Sequence, residues 1–293
     1  MDALGFPSDA AKTFIGALKL IFDNEGASAR FSELLQQYEK TKDCPYGQML
    51  TDAVEIGKAL GIHEYTASML LFLCMAEKLR SRYAENGFGE DIYLNSMADL
   101  SYKLEECRLI YGINGSFVAS WFRGFFDMTR FALGRLQFEM TETTDEYVIG
   151  GVTIPSGSKA INIHIPRTGT RLDHKEVLES YHLAAKFFGN EFDSLPVLFT
   201  CHTWLLDPWN MTVLSPESNL AAFYKDFKIV KSGNYGDYGE IWRLFDCLYT
   251  GDPSGLPKDS SLRRAYAERV ERGEPVSWGL GLFLYDGGSI VND

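Results

Sequence analysis

With 293 residues, of which 45% are hydrophobic and 14% aromatic, the chain can form one large or two smaller packed domains, and its composition excludes a disordered protein. Its formal net charge of −12 excludes sequence-independent binding to nucleic acid or to an anionic membrane, because both require a basic surface. The richest apolar run, Met69–Met75, is far too short to cross a bilayer, which predicts a soluble protein.

The N-terminal part of the chain has the apolar spacing of amphipathic helices. From Phe31 to Tyr38, apolar residues recur three and four positions apart, so they share one face of a helix. Ser8 is predicted to cap the first helix, which would end at Asn24-Glu25-Gly26. The predicted helices lie near residues 8–23, 31–38, 50–60, 65–85, 92–110 and 116–128. These residues predict an all-α domain over 1–128.

After Met128 the pattern changes to short runs typical of strands, separated by turn residues. Three strands are predicted at Arg130–Met140, Glu146–Ile154 and Ala160–Pro166, and their short connections predict an antiparallel meander. The later elements are predicted near 173–188 (helix), 196–204 (strand), 216–224 (helix), 227–232 (strand), 240–248 and 262–272 (helices) and 278–285 (strand). The sequence therefore predicts an α+β protein, with a mixed α/β domain over 129–293 built on a largely antiparallel sheet.

Two of the predicted strands carry polar and ionisable residues on one face. Arg135, Gln137 and Glu139 alternate with apolar residues, and successive side chains of a strand point to opposite faces. In the same way, His202 and Trp204 are predicted to share a face of the strand that runs to Asp207-Pro208. Such rows are typical of a small-molecule site, although a half-buried strand can also simply expose them to water.

These segments resemble a known family. The runs GRLQFEM (134–140), CHTWLLDP (201–208) and NGFGEDIYLNSMADL (86–100) are similar to those of a two-domain bacterial family. Its members combine a helical N-acyltransferase-type N-terminal domain with a GNAT-like acetyltransferase C-terminal domain, and they are assigned as acyltransferases mainly from their fold. The resemblance covers most of the chain and implies a GNAT-like domain that uses acyl-coenzyme A as cosubstrate.

The turn after the third predicted strand is the predicted cofactor site. It contains Arg167, Thr168, Gly169, Thr170 and Arg171, which offer two charges, two hydroxyls and a flexible backbone at the start of a helix. In the family this loop holds the pyrophosphate of the cofactor as Q/R-x-x-G-x-G/A. Only Arg167 and Gly169 match that pattern, and their spacing differs. The alternative is an ordinary loop whose following helix is capped by Asp173, with both arginines solvated.

The resemblance also implies catalytic roles. It places the strand of His164 and Asn162 beside the thioester, where either His164 or Glu139 would accept the proton of the amine. It also implies that Tyr224 protonates the leaving thiolate. The plainer alternatives are a structural histidine and a buried tyrosine. The residues predicted to contact the acyl acceptor are Arg135, Gln137, Asn162 and His202.

The cysteine and histidine residues argue against a disulfide-bonded protein, a metal site and a thiol hydrolase. The five cysteines include no CxxC pair, which predicts a reduced, cytoplasmic protein, and the N-terminus lacks the pattern of a signal peptide. No His-x-x-x-His or His-Glu-x-x-His pattern occurs, so no metal site is predicted. Cys201 precedes His202, but neighbours on a strand point apart, so a thiol hydrolase is the weaker reading and Cys201 is expected in the core.

The sequence therefore predicts an enzyme, an acyl-coenzyme A-dependent N-acyltransferase that transfers an acyl group, expected to be acetyl, to the amine of a small molecule or peptide. It would hold no permanently bound cofactor. The alternative is a non-catalytic ligand-binding module that keeps the GNAT-like fold, since the RTGTR loop is degenerate and has acidic neighbours.

Overall fold

The structure is a computed structural model that describes residues 1–41 and 43–292. The chain divides into two compact units, one of residues 1–132 and one that begins at Leu133. In the first unit the described helices are α1 (Ser8–Phe22), α2 (Glu25–Lys40), α3 (Tyr46–Ala59), α4 (Glu64–Glu85), α5 (Glu90–Tyr111) and the short α6 (Arg123–Phe126). None of the helices in the described part of the chain combines the length and the apolar character needed to cross a membrane.

The first unit is held together by a cluster of aromatic rings. Phe72 of α4 stacks on Tyr46 of α3 with ring centroids 6.1 Å apart, and it contacts Phe126 edge-on at 4.8 Å. Tyr38 is fully buried and donates a hydrogen bond to the backbone carbonyl of Phe126 at 3.2 Å. Edge-on and offset contacts of this kind add to the free energy gained by burying the rings.

One predicted helix cap in this unit is wrong. Ser8 is the first residue of α1 and not its cap, since Pro7 occupies the position before the helix. The first helix ends at Phe22, just before the predicted end at Asn24-Glu25-Gly26. The side chain of Asn24 accepts a hydrogen bond from the backbone N–H of Ala27 at 3.0 Å and so caps the start of α2.

The second unit is a largely antiparallel α/β structure, which confirms the predicted fold class. Its strands are β1 (Arg130–Leu133, which spans the division between the units), β2 (Leu136–Glu142), β3 (Tyr147–Ile149), β4 (Val152–Ile154), β5 (Lys159–His164), β6 (Val197–Thr203), β7 (Lys228–Asn234) and β8 (Ser277–Tyr285). Its helices are α7 (His174–Phe187), α8 (Asn210–Val213), α9 (Asn219–Lys225), α10 (Ile241–Phe245) and α11 (Ser261–Glu271). The main sheet has the order β1-β2-β5-β6-β8-β7, and β5 and β6 run parallel.

Glycines break two of the predicted strands. Gly134 adopts φ +72°, so the predicted strand Arg130–Met140 turns and becomes β1 and β2. Gly150 and Gly151, with φ +55° and +72°, split the segment Glu146–Ile154 into the β3–β4 hairpin. Positive φ at both central residues is the signature of a tight hairpin turn. The hairpin is a separate two-stranded sheet and β2 pairs directly with β5, so the predicted meander is wrong.

The main sheet is covered on both faces. On one face, Tyr181 of α7 packs against Phe199 and Phe283, with ring centroids 5.7 Å and 4.8 Å away. On the other face, the β3–β4 hairpin places Ile149 and Ile154 over apolar residues of the central strands. This hairpin covers the end of the sheet that contains Ala160, Leu198, Leu282 and Leu284. The polar residues of β2 and β5 lie further along the same face.

Candidate functional site

The centre of the candidate site is a contact between a carboxylate and an imidazole on neighbouring strands. β2 and β5 are antiparallel, with Gln137 opposite His164 and Glu139 opposite Asn162, so all four residues project from one face. His164 Nε2 lies 2.7 Å from Glu139 Oε1, and both side chains remain about one fifth exposed, at 21% and 23%. Asn162 Nδ2 lies 3.2 Å from His164 Nε2 and 3.4 Å from Glu139 Oε1.

This geometry determines which nitrogen of His164 can take part in proton transfer. A carboxylate accepts hydrogen bonds, so the 2.7 Å contact is satisfied when the imidazole proton is on Nε2. The lone pair is then on Nδ1, which becomes the atom able to accept a proton. Glu139 would stabilise the imidazolium that results. The pair is therefore chemically suited to general base catalysis.

The parallel pair of strands beside these residues opens at its carboxyl end. The described register of β5 and β6 joins Ile161 to Phe199 and Asn162 to Thr200, whereas β5 continues to His164 and β6 to Thr203. The strand ends that carry His164 and His202 thus extend beyond the paired part of the ladder. An opening between parallel strands exposes backbone groups to which a ligand can bind.

Cys201 lies on the opposite face of β6 from this site. Its side chain is fully buried, and its thiol donates to the carbonyl of Ile163 at 3.4 Å. Burial raises the pKa of the Cys201 thiol far above its ordinary value, so it remains protonated and unreactive at neutral pH. The expectation that Cys201 belongs to the core is confirmed, and it forms no catalytic pair with its exposed neighbour His202.

The predicted cofactor loop is exposed and directly follows β5. Gly169 adopts φ +78°, a left-handed conformation that favours glycine, and the hydroxyls of Thr168 and Thr170 lie 2.8 Å apart. Asp173 caps α7 by accepting hydrogen bonds from the backbone N–H groups of Lys175 at 3.0 Å and Glu176 at 3.3 Å. A carboxylate of the chain thus takes up two of the amides that a phosphate could have used, so the loop backbone and its arginines are the remaining candidates for binding an anion.

Arg167 is already engaged in an ion pair that the sequence did not suggest. Its Nη2 donates to Asp246 Oδ2 at 2.8 Å, and Arg263 Nη2 donates to the same oxygen. Asp246 directly follows α10 and Arg263 belongs to α11, so the contact joins residues that are far apart in the chain. No spacing rule could have revealed it. The other arginine of the loop, Arg171, is exposed.

The residues predicted to bind the acceptor are not all gathered around His164. Arg135 lies in the β1–β2 turn and not on the strand face, which corrects the predicted row of three polar residues. Its backbone N–H donates to Ser180 Oγ at 2.7 Å and its Nη1 to the carbonyl of Pro166 at 3.1 Å, so it supports the start of the cofactor loop. Gln137 is opposite His164 but is only 1% exposed.

His202 and Tyr224 belong to other elements than Glu139 and His164. His202 is at the exposed end of β6 with its ring 4.5 Å from that of Trp278, and partial burial lowers its pKa. Trp204 begins a 3₁₀ turn, so its predicted place beside His202 on the strand face is wrong. Tyr224 lies on α9 and is half-buried. Desolvation, and secondarily the charge of Asp207, raises its pKa, so the phenol keeps its proton at neutral pH.

Asp207 belongs to a buried polar network at the end of β6. It accepts hydrogen bonds from the backbone N–H of Trp209 at 3.0 Å and from Arg269 Nη1 at 2.6 Å. The Arg269 guanidinium lies over the Trp209 ring at 4.6 Å, and Tyr266 donates to Asn210 Oδ1 at 2.7 Å. The Asp-Pro-Trp-Asn sequence therefore anchors α11 to the end of the sheet, in keeping with a structural role for Asp207-Pro208.

A second buried acid fixes the start of α7, next to the cofactor loop. The imidazole Nε2 of His174 lies 2.9 Å and 3.1 Å from the two carboxylate oxygens of Asp226, and Tyr181 donates to Asp226 at 3.2 Å. Burial raises the pKa of the Asp226 carboxyl, against the lowering effects of His174 and Tyr181. No sequence pattern pairs His174 with Asp226, because the two residues are far apart in the chain. Within residues 1–41 and 43–292, no group of three or more metal-ligating side chains occurs.

A helical N-terminal unit followed by a mixed α/β unit with one parallel strand pair in a largely antiparallel sheet is the architecture of the GNAT-like class. Residues 131–283 match the family described as the GNAT-like C-terminal domain, and residues 1–128 match the N-acyltransferase N-terminal domain. The chain belongs to the GNAT-like C-terminal domain family.

Several solved structures share this fold. An acyltransferase in complex with decanoyl-CoA and teicoplanin is 20% identical, with a TM-score of 0.73 over 96% of this chain and 85% of that chain. An acyltransferase in complex with decanoyl-CoA is 20% identical, with a TM-score of 0.72 over 97% and 85%. An acyltransferase in complex with CoA and 10C-Teicoplanin is 19% identical, with a TM-score of 0.70 over 96% and 85%. No curated protein matches the chain.

Proposed function

We propose that this protein is an acyl-coenzyme A-dependent acyltransferase that acts on an amine. The observation that carries the proposal is the Glu139–His164 contact of 2.7 Å at the end of β5, beside the opening of the parallel strands and directly before an exposed loop with two arginines. A proton acceptor, a strand opening and an anion-binding loop are the three parts that acyl transfer from a thioester with a phosphate-bearing carrier requires.

The length of the acyl chain on the cosubstrate is a separate question from the use of coenzyme A. Acetyl is the expectation from the sequence, whereas the structures with the same fold were solved with decanoyl-CoA or with CoA and 10C-Teicoplanin. We therefore propose acyl-coenzyme A as the cosubstrate and treat acetyl and decanoyl as the two ends of the series to be tested. The acceptor proposed is the amine of a small molecule or peptide.

In the proposed reaction the amine nitrogen attacks the thioester carbonyl and loses a proton to His164 Nδ1. An N–C bond forms, the C–S bond breaks, and the thiolate takes a proton from a phenol, for which Tyr224 is the candidate because its raised pKa keeps it protonated. The imidazolium then releases its proton to water and the phenolate takes one back, so both groups return to their starting states. Glu139 holds His164 through Nε2 and balances its positive charge. A backbone N–H of the opened β5 strand would polarise the carbonyl oxygen.

The second candidate is a non-catalytic ligand-binding module. Two observations favour it: Asp173 caps the amides at the start of α7, and Asp246 already pairs with Arg167. Both contacts reduce the attraction of the loop for a phosphate. The two candidates differ in turnover, because a binding module would bind coenzyme A esters without releasing thiol.

The test combines calorimetric titration with acetyl-, octanoyl- and decanoyl-coenzyme A and a thiol-release assay with a panel of amines. We expect saturable binding of at least one ester and amine-dependent release of coenzyme A. Binding without thiol release for any amine would favour the binding module. If none of the esters binds at millimolar concentration, the proposed function is wrong.

A further inference from the structure

Two arginines from different elements converge on a single oxygen near the proposed cofactor loop. Asp246 Oδ2 accepts from Arg167 Nη2 at 2.8 Å and from Arg263 Nη2, which makes it a doubly coordinated anionic oxygen. Phosphate oxygens are bound by guanidinium groups in this way. The carboxylate of Asp246 thus occupies, with respect to Arg167, the position that an oxygen of a bound phosphate would take.

Arg263 is held by more contacts than Arg167. Arg263 also donates through Nε to the carbonyl of Leu244 at 2.8 Å and through Nη1 to Asp259 at 2.9 Å, and its side chain is 20% exposed. Arg167 comes from an exposed loop, and its side chain is 40% exposed. Asp246 and Arg263 therefore form the fixed part of the cluster, and Arg167 is the member that can exchange partners.

We infer that Asp246 determines the affinity for phosphate-bearing cofactors by competing with the cofactor phosphate for Arg167. This inference rests on the proposed function, since it names Asp246 as the group that competes with the phosphates of the proposed cosubstrate. A pyrophosphate carries more negative charge than one carboxylate that is already shared with Arg263, so it can displace Asp246 from Arg167. Arg263 retains Asp246 after the exchange, so the acid is left with a partner.

Asp246→Asn is the direct test, because it removes the competing charge and keeps the size of the side chain. Asp246 has φ +59°, and asparagine is among the residues that tolerate this conformation best. An exposed ion pair is worth up to about fivefold in an equilibrium constant, and the loss of repulsion on the phosphate adds to this. We expect the dissociation constant for coenzyme A to fall by about threefold to tenfold, and the gain to shrink with added salt.

Three controls make the result specific. Asp259→Asn removes the same charge from another partner of Arg263, one that is 66% exposed, and should change the affinity little. In an Arg167→Ala background, Asp246→Asn should give a clearly smaller gain, because only its repulsion on the phosphate is then removed, and the difference between the two gains is the coupling energy of the double-mutant cycle. Pantetheine has no phosphate and should bind the parent and the Asp246→Asn variant equally.

The titrations either support or overturn the competition between Asp246 and the cofactor phosphate. Tighter binding of coenzyme A by Asp246→Asn alone, with a clearly smaller gain in the Arg167→Ala background, supports the inference. An unchanged dissociation constant, or an equal gain from Asp259→Asn or without Arg167, overturns it while the proposed function stands. If folded parent and variant proteins all fail to bind coenzyme A, the proposed function is wrong and the inference falls with it.

Discussion

At the scale of single residues, the contact between His164 and Glu139 gives the two groups different tasks. His164 would carry the proton during the reaction, whereas Glu139 acts through it by fixing the ring and stabilising its charge. Removing either group should therefore slow the chemical step more than it weakens the binding of the cosubstrate.

His164→Ala should lower kcat by about 10²- to 10⁴-fold, the usual contribution of a positioned general base, and leave the dissociation constant of the acyl-coenzyme A within about twofold. Glu139→Gln should lower kcat less, because the imidazole remains. His182→Ala, an exposed histidine on α7, is the matched control and should keep full activity. Full kcat in His164→Ala would remove His164 from the mechanism.

The loop arginines should contribute to binding and not to stability. Arg167→Ala combined with Arg171→Ala should raise the dissociation constant of coenzyme A by about tenfold or more, since a charge-assisted hydrogen bond is worth about 1.5–3 kcal/mol. The melting temperature should change little, because both side chains are exposed. Arg30→Ala in the helical unit removes the same kind of charge and should leave binding unchanged. Equal affinity of the double variant and the parent would show that the loop does not hold the phosphates.

Sequence reasoning found single residues better than it found their partners. Strand alternation placed Glu139 and His164 each on a polar face, but the predicted meander separated their strands, so their contact became visible only with the direct pairing of β2 and β5. The ion pairs Arg167–Asp246 and Asp207–Arg269 join distant segments. Only the tertiary arrangement of those segments brings the charges together, so no local pattern contains them.

At the scale of elements, strand β8 owes its position to two glycines. A Cβ on Gly279 would collide with the backbone carbonyl of Leu206, and one on Gly281 would press on the side chain of Phe227. The 3₁₀ turn after β6 can lie directly on β8 only because these positions lack side chains.

Gly279→Ala should therefore destabilise the second unit by about 1–3 kcal/mol or more, the usual cost of overpacking, because the obstacle is backbone that cannot rotate away. Urea unfolding followed by tryptophan fluorescence would measure the change. Gly16→Ala, at an exposed helical position where a Cβ meets nothing within 4 Å, should instead stabilise by about 0.5–1 kcal/mol. A neutral Gly279→Ala would mean that the turn can move away from β8.

The element boundaries show where sequence patterns succeed and where they fail. The long helices α4 and α5 differ from their predicted ranges by at most two residues at each end, because their apolar spacing and flanking glycines agree. The predicted strands around Gly134 and Gly150-Gly151 were too long. A glycine inside an apolar run is compatible with both a strand and a turn, and only the pairing partners decide which one forms.

At the scale of the whole molecule, buried thiols make the stability depend on alkaline pH. Burial raises the pKa of Cys74 and of Cys107 to about 11, and raises that of Cys201 further. In the unfolded chain these thiols ionise near 8.5, so above this pH the folded state binds more protons than the unfolded state. Stability is then fully present at neutral pH and decreases as the pH rises.

We expect the free energy of unfolding to fall between about pH 8.5 and 10.5, by about 1 kcal/mol per pH unit for each buried thiol. Urea titrations at pH 7.5, 9 and 10 would measure the slope. Iodoacetamide provides an independent readout, since Cys201 should be alkylated only as the protein unfolds. A stability at pH 10 equal to that at pH 7.5 would contradict the raised pKa of these thiols in the folded protein.

The position of β8 in the sheet also has a consequence for biosynthesis. β8 lies between β6 and β7 and provides antiparallel pairing for both, yet it is the last strand of the described chain. A ribosome releases β6 and β7 long before the strand that joins them. Until then Leu198 and Phe199, buried in the finished protein, have no cover from β8. The nascent chain thus carries an open, apolar sheet edge for much of its synthesis, and a premature stop before Ser277 would leave that edge permanently available for aggregation.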